Sequence, residues 1–86
     1  MMKKLNDFKI FGTKEGSKKS IKLDEISIIA NPKEMRELGI FLINAAYEME
    51  MNDLEHVHLQ DLVSNFSYEK HVDVIALNKA QIKIIE

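Results

Sequence analysis

The chain has 86 residues, 45% of them hydrophobic and 30% charged, with a formal net charge of −2, one proline and no cysteine or tryptophan. That length supports one domain, residues 1–86, and so short a chain buries only about 60–65% of its unfolded surface, which leaves a modest stability margin. Without cysteine, disulfides, a thiolate zinc site and a cysteine nucleophile are excluded together.

The charge is unevenly spread. Residues 1–30 carry seven lysines against four acids, a balance of +3; residues 31–86 carry five basic against ten acidic residues, a balance of −5. A nucleic-acid binder is usually basic with a clustered patch, so no nucleic-acid partner is expected. The one basic cluster, Lys14, Lys18, Lys19 and Lys22, lies beside glycines and reads as a solvated hairpin tip. The acidic part suits a basic partner, whose approach it would steer. Met1-Met2-Lys3-Lys4 opens like a secretion signal, but Asn6, Asp7 and Lys9 interrupt the apolar run a signal requires. Nothing approaches the roughly 18 apolar residues of a membrane helix, so no membrane partner and a cytoplasmic location are expected.

In chain order, Phe8, Ile10 and Phe11 mark a first strand from about Leu5 to Phe11. Gly12 to Ser17 is turn chemistry, two glycines bracketing polar residues. Ile21 and Leu23 resume a strand that Ile26, Ile28, Ile29 and Ala30 continue. The alternation changes phase between Leu23 and Ile26, which predicts a bulge or bend at Asp24-Glu25.

The one long helical signal follows, from its cap at Asn31 to about Met51. Asn31 can accept from the free N–H groups of the first turn, Pro32 fits the first helical position, and Glu34 suits the positive end of the dipole. Asn52-Asp53 ends it, Asn being tolerant of the left-handed region. Met35, Leu38, Leu42, Ala45 and Met49 recur at steps of three and four, the stripe that docks on a core. Leu42, its midpoint, is expected at the centre of the helix–sheet contact. Gly39 and Ala46 flank the stripe and are expected to let the helix lie close to the sheet. Ile40, Ile43 and Tyr47, with Met51 near the end, form a second apolar stripe roughly opposite the first, with Phe41 at the border of the core stripe. An outward apolar strip is covered by a loop or terminus, by a partner, or by a second copy. A homodimer through this helix is the expectation, because twofold pairing buries the same patch twice.

After the helix, Glu55 to Leu62 reads as a strand with Val57 and Leu59 on one face and His56, His58 and Gln60 on the other. Asn65 to Glu69 is a loop with Phe66 and Tyr68 packing back. Val72 to Leu77 is a nearly continuous apolar strand suited to the middle of a sheet, and Gln81 to Ile85 alternates as a final edge strand. The fold class is therefore α+β: an antiparallel sheet of about five strands with one main helix on one face, in the order strand, strand, helix, strand, strand, strand.

The only site-like constellation is His56-Val57-His58 with Asp61. Histidines at i and i+2 on a strand share a face, a genuine metal-binding geometry, but two ligands do not make a site and nothing in the sequence places His71 nearby. No cofactor, no metal and no tight zinc binding are expected. Ser64 and Ser67 lack a nucleophile-elbow context, and Gly12 and Gly16 lack the helix of a phosphate loop. No catalytic residue emerges.

The run Ile26-Ser27-Ile28-Ile29-Ala30-Asn31-Pro32-Lys33-Glu34-Met35-Arg36-Glu37-Leu38, continuing through Phe41-Leu42 and Ala45-Ala46 to Glu48-Met49, resembles bacterial immunity protein family 32. There too a short apolar strand enters an [Asn/Asp]-Pro-x-Glu helix ending in Ala-Ala-x-Glu-Met. His56-Val57-His58-Leu59-Gln60-Asp61 is similar to that family's His-x-His-Leu-x-Asp segment, and Asp73-Val74-Ile75-Ala76-Leu77-Asn78 to its closing strand. The family often carries a Trp between these last two pieces, where this chain has Phe66 and Tyr68. The resemblance implies a small bacterial protein that binds and neutralises a cognate protein toxin by occlusion, without catalysis. His56, His58, Asp61, Ile40, Ile43 and Tyr47 are the candidate partner-binding residues. Two other readings stand beside it: a metal-dependent enzyme or sensor using His56, His58 and a third ligand, and a self-associating structural module.

Overall fold

The computed structural model describes residues 9–82. β1 (Phe11–Thr13) pairs antiparallel with β2 (Ser20–Lys22), Gly12 standing opposite Ile21. The loop between them turns tightly where Ser17 N donates to Lys14 O at 2.9 Å, and Gly16 takes the positive φ of 78° that the third residue of a type II turn requires. Lys14, Lys18 and Lys19 stand exposed in this loop, the solvated tip that their clustering suggests. Gly12 also has a packing reason, since a Cβ there would meet Leu23 Cδ1 at 3.0 Å.

The chain bends at Asp24 as the phase change predicts, but the strand expected to resume at Ile26 does not form. Residues 25–30 have no regular structure, and Ile26, Ile28 and Ile29 are 49%, 50% and 99% exposed. Apolar alternation makes a strand only where a ladder partner is present to take its backbone groups, and none of the described strands runs beside this segment.

α1 (Pro32–Asn52) is built as its ends predict. Asn31 Oδ1 accepts from Glu34 N at 2.8 Å, Pro32 occupies the first turn, and the first helical bond runs from Met35 N to Asn31 O. The C-terminal stop falls one residue later than expected: Asp53 takes the left-handed conformation, while Asn52 stays helical and donates from Nδ2 to the Glu48 carboxylate at 3.0 Å.

The buried face of α1 is partly the expected one, with Ala45 buried and Leu38 and Met49 half-buried, but it is turned so that Phe41 replaces Leu42. Phe41 and Ala45 are buried, at 5% and 4% exposure, whereas Leu42 is 49% and Met35 42% exposed. A stripe of alternating threes and fours can be drawn through either Leu42 or Phe41, one residue and 100° apart; the larger apolar area of the Phe ring decides which one faces the hairpin. Gly39 does not serve close packing among the described residues either, because a Cβ there would meet none of them within 4 Å.

β3 (His56–His58) and β4 (Ile75–Leu77) form a second antiparallel pair, with His56 opposite Leu77, Val57 opposite Ala76 and His58 opposite Ile75. Bonds from Asn78 N to Glu55 O and from Leu59 N to Val74 O, both 2.8 Å, extend the pairing at each end. The strand signal beyond His58 becomes a 3-10 turn at Leu59–Leu62. Val72, placed by its apolar run inside a sheet, precedes β4 and is 83% exposed. The architecture is thus α+β with one helix and two separate two-stranded sheets, not one sheet of five strands. Of the outermost predicted strands, residues 5–8 and 83–85 lie outside the described residues; Gln81 sits in a turn that donates to Asn78 O at 3.0 Å.

α1 lies against β3, and an apolar cleft lined by Phe41, Ala45, Leu54, Val57 and Leu62 runs along their contact. Phe41→Ala is expected to lower stability by about 3 kcal/mol, at the low end for a buried Phe because its site opens onto this cleft, and Leu42→Ala by about 1 kcal/mol or less. Asn31→Ala should cost about 1 kcal/mol through the lost cap. Urea denaturation midpoints of the three variants give the order.

Candidate functional site

Strand parity divides β3 into two surfaces. Val57 turns toward the helix and lines the cleft, so His56 and His58 point to the other side, where their rings meet edge to face with centroids 5.3 Å apart. In the same pleat, Ile75 and Leu77 of β4 share the outward surface and are 47% and 51% exposed. Two imidazoles beside two exposed aliphatic side chains therefore form one face of the second hairpin.

The register places a carboxylate there that sequence spacing did not select. Two residues before Ile75 along the same pleat, Asp73 reaches diagonally to His58, whose Nδ1 lies 2.6 Å from Asp73 Oδ2. The other oxygen, Oδ1, accepts from Gln60 N at 2.9 Å. With 12% side-chain exposure at Asp73 and 32% at His58, the pair is largely screened from water. Donation of the Nδ1 proton to Asp73 orients the ring and leaves Nε2 as its remaining polar atom. Gln60 is held in turn, its Oε1 accepting from the Tyr68 hydroxyl, and the Tyr68 ring stands at 85° to Phe66 with centroids 4.9 Å apart. A continuous chain of contacts thus runs from His58 through Asp73, Gln60 and Tyr68 to Phe66.

Asp61, the expected companion of the histidines, is exposed on the 3-10 turn, and it is Asp73 that meets His58. His56 contacts Glu55 at 3.1 Å, a pair exposed on both sides and energetically slight. His71 is engaged elsewhere: its Nδ1 accepts from Ser67 N at 3.0 Å, and its ring lies against Phe66. Among the described residues, no three His, Asp or Glu side chains are grouped so as to hold a metal ion. Ile40, Ile43, Tyr47 and Met51 are exposed, at 54%, 70%, 59% and 60%, and belong to a separate surface on α1. The available signal for Asp73 was a lone carboxylate inside the apolar run from Val72 to Leu77, where an unpaired acid has no place.

Fold and site together define a small α+β domain whose best-organised polar group is a histidine fixed at a partly apolar surface. The sequence matches the family described as Immunity protein 32 over residues 25–80, and the chain belongs to that family. The matched segment takes in α1, β3, the 3-10 turn and β4 but not the β1–β2 hairpin. No curated protein and no solved structure gives a significant match. Among the described residues, no helix is long and apolar enough to cross a membrane.

Asp73→Ala strands both the His58 ring and the Gln60 N–H, and should cost about 1–3 kcal/mol, whereas Asp61→Ala should stay within about 0.5 kcal/mol. Long-range nitrogen–proton NMR spectra should show His58 protonated at Nδ1 in the wild type and a mixture of tautomers in Asp73→Ala.

Proposed function

We propose that this protein neutralises a cognate bacterial protein toxin by binding and occluding it, without catalysis, and that the outward face of the β3–β4 hairpin is the surface that meets the toxin. Membership of an immunity-protein family supports the first part. The observation that carries the second is the buttressed His58. The His58–Asp73 pair steadies the hairpin, and it also gives a binding surface a preorganised polar contact that needs no ordering on association. Ile75 and Leu77 beside it supply apolar area, and His56 adds a second ring. Asp61, exposed on the adjoining turn, contributes at the rim, together with the acidic balance of residues 31–86, which suits a basic surface on the toxin.

The test requires the toxin encoded in the reading frame beside this protein's own. Titration calorimetry of the purified pair is expected to give a one-to-one complex per chain. His58→Ala should weaken it at least tenfold and Ile75→Asp further, with the circular dichroism spectrum unchanged. Asp73→Asn should weaken it less than His58→Ala, since the amide can still hold the ring. Wild-type affinity in the His56→Ala/His58→Ala double variant would show that the toxin binds elsewhere.

A further inference from the structure

The side of α1 that faces away from the hairpin carries three features that the described residues of the protomer do not use. Ile43 lies about 160° around the helix from each of the buried residues Phe41 and Ala45, and is 70% exposed. Ile40 and Tyr47 flank it, three residues before and four residues after, both more than half exposed. Gly39 stands on the same side, and a glycine in a helix interior is destabilising relative to alanine; among the described residues a Cβ there touches nothing within 4 Å. Arg36 and Glu50 lie seven residues before and seven after Ile43, both exposed and both on this side of the helix.

We propose that α1 pairs with α1 of a second copy of this chain, antiparallel, about a twofold axis passing beside Ile43. In that arrangement Ile43 meets its own counterpart. Tyr47 enters the space between Arg36, Gly39, Ile40 and Ile43 of the other copy, the i, i+3, i+4, i+7 quartet that forms a hole for a helical knob. The missing side chain of Gly39 makes room for the ring, and the Arg36 guanidinium packs over its face while the hydroxyl reaches water. Arg36 faces Glu50 of the other copy, and the symmetry makes that pair twice. A parallel pair would instead set Arg36 against Arg36 and Glu50 against Glu50, so the charge pattern selects the antiparallel one.

The strip is apolar where a twofold contact would be centred, with Ile40, Ile43 and Tyr47 all more than half exposed, and opposite charges stand at its two ends. This pairing uses a different face of the molecule from the β3–β4 surface, and stands or falls independently of toxin binding.

The full chain should sediment as a dimer, twice 10.0 kDa, at concentrations of about 10–200 μM. Ile43→Glu should give a monomer with unchanged circular dichroism. Gly39→Leu should raise the dimer dissociation constant at least tenfold while retaining or increasing helix content, because the side chain enters open space in the protomer and the filled hole in the pair. Arg36→Glu and Glu50→Arg should each weaken the dimer, and the double exchange should restore it. The chain has no native cysteine, so single thiols report register: under mild oxidation Ile43→Cys should crosslink to itself. Glu50→Cys should not, its copies being about 21 Å apart in the antiparallel pair. A wild type monomeric at 200 μM, or a dimer indifferent to Ile43→Glu, overturns the proposal. So does self-crosslinking by Glu50→Cys. A wild type monomeric alone whose toxin binding is lost in Ile43→Glu also overturns it, and gives the strip to the toxin.

Discussion

Everything in the second half of this molecule depends on a thin contact between one helix and one hairpin. Phe41 and Ala45 are the buried residues among those described, and they reach Val57, Leu54 and Leu62 across an apolar cleft. With so little area removed from water, the hydrophobic contribution is small, and the local devices matter in proportion. The Asn31 cap, the left-handed Asp53 and the Asn52–Glu48 bond secure the helix before it docks. At the hairpin, the Asn78 side chain donates to Leu54 O at 3.0 Å, tying the end of β4 to the link between α1 and β3.

The same contact determines which way the histidines point. Once Val57 is committed to the cleft, the two-residue period of a strand leaves His56 and His58 no other face. The antiparallel register then brings Asp73 to His58, since residues beside a cross-strand pair meet diagonally on one surface. A screened carboxylate with two hydrogen-bond donors is a rigid support, and by holding one ring nitrogen it fixes the orientation of the imidazole. The organised surface of the protein is therefore a by-product of how its core is closed.

The family match and the structure divide the chain at similar places. Residues 25–80 include the helix, the histidine strand and the Asp73 strand, whereas the lysine-bearing β1–β2 hairpin precedes them. Basic and acidic residues are thus segregated along the chain, with the acidic excess in the part that carries the proposed contact surface. The two proposed contacts use different faces: the helix strip would take a second copy through its charge pattern, and the hairpin face would take a foreign partner through its fixed polar group.

Much of the local structure was legible in the residues themselves. Asn31-Pro32 starts a helix because a side-chain acceptor and a pre-set φ act within one turn, and Gly16 makes a turn because only its own φ is at stake. The pairing of His56 with His58 on one face, and the outward strip of Ile40, Ile43 and Tyr47, likewise follow from periodicities of two and 3.6. What depends on distant partners was not legible. Ile26 to Ala30 alternates like a strand but has none of the described strands beside it. Leu42 was expected at the core with Phe41 at its border, yet Phe41 is the buried one, its larger ring meeting the hairpin that the sequence does not place. Asp61 stands close to the histidines in sequence, yet Asp73, fifteen residues from His58, is the one that reaches it, because strand register is decided by the ladder and not by spacing along the chain.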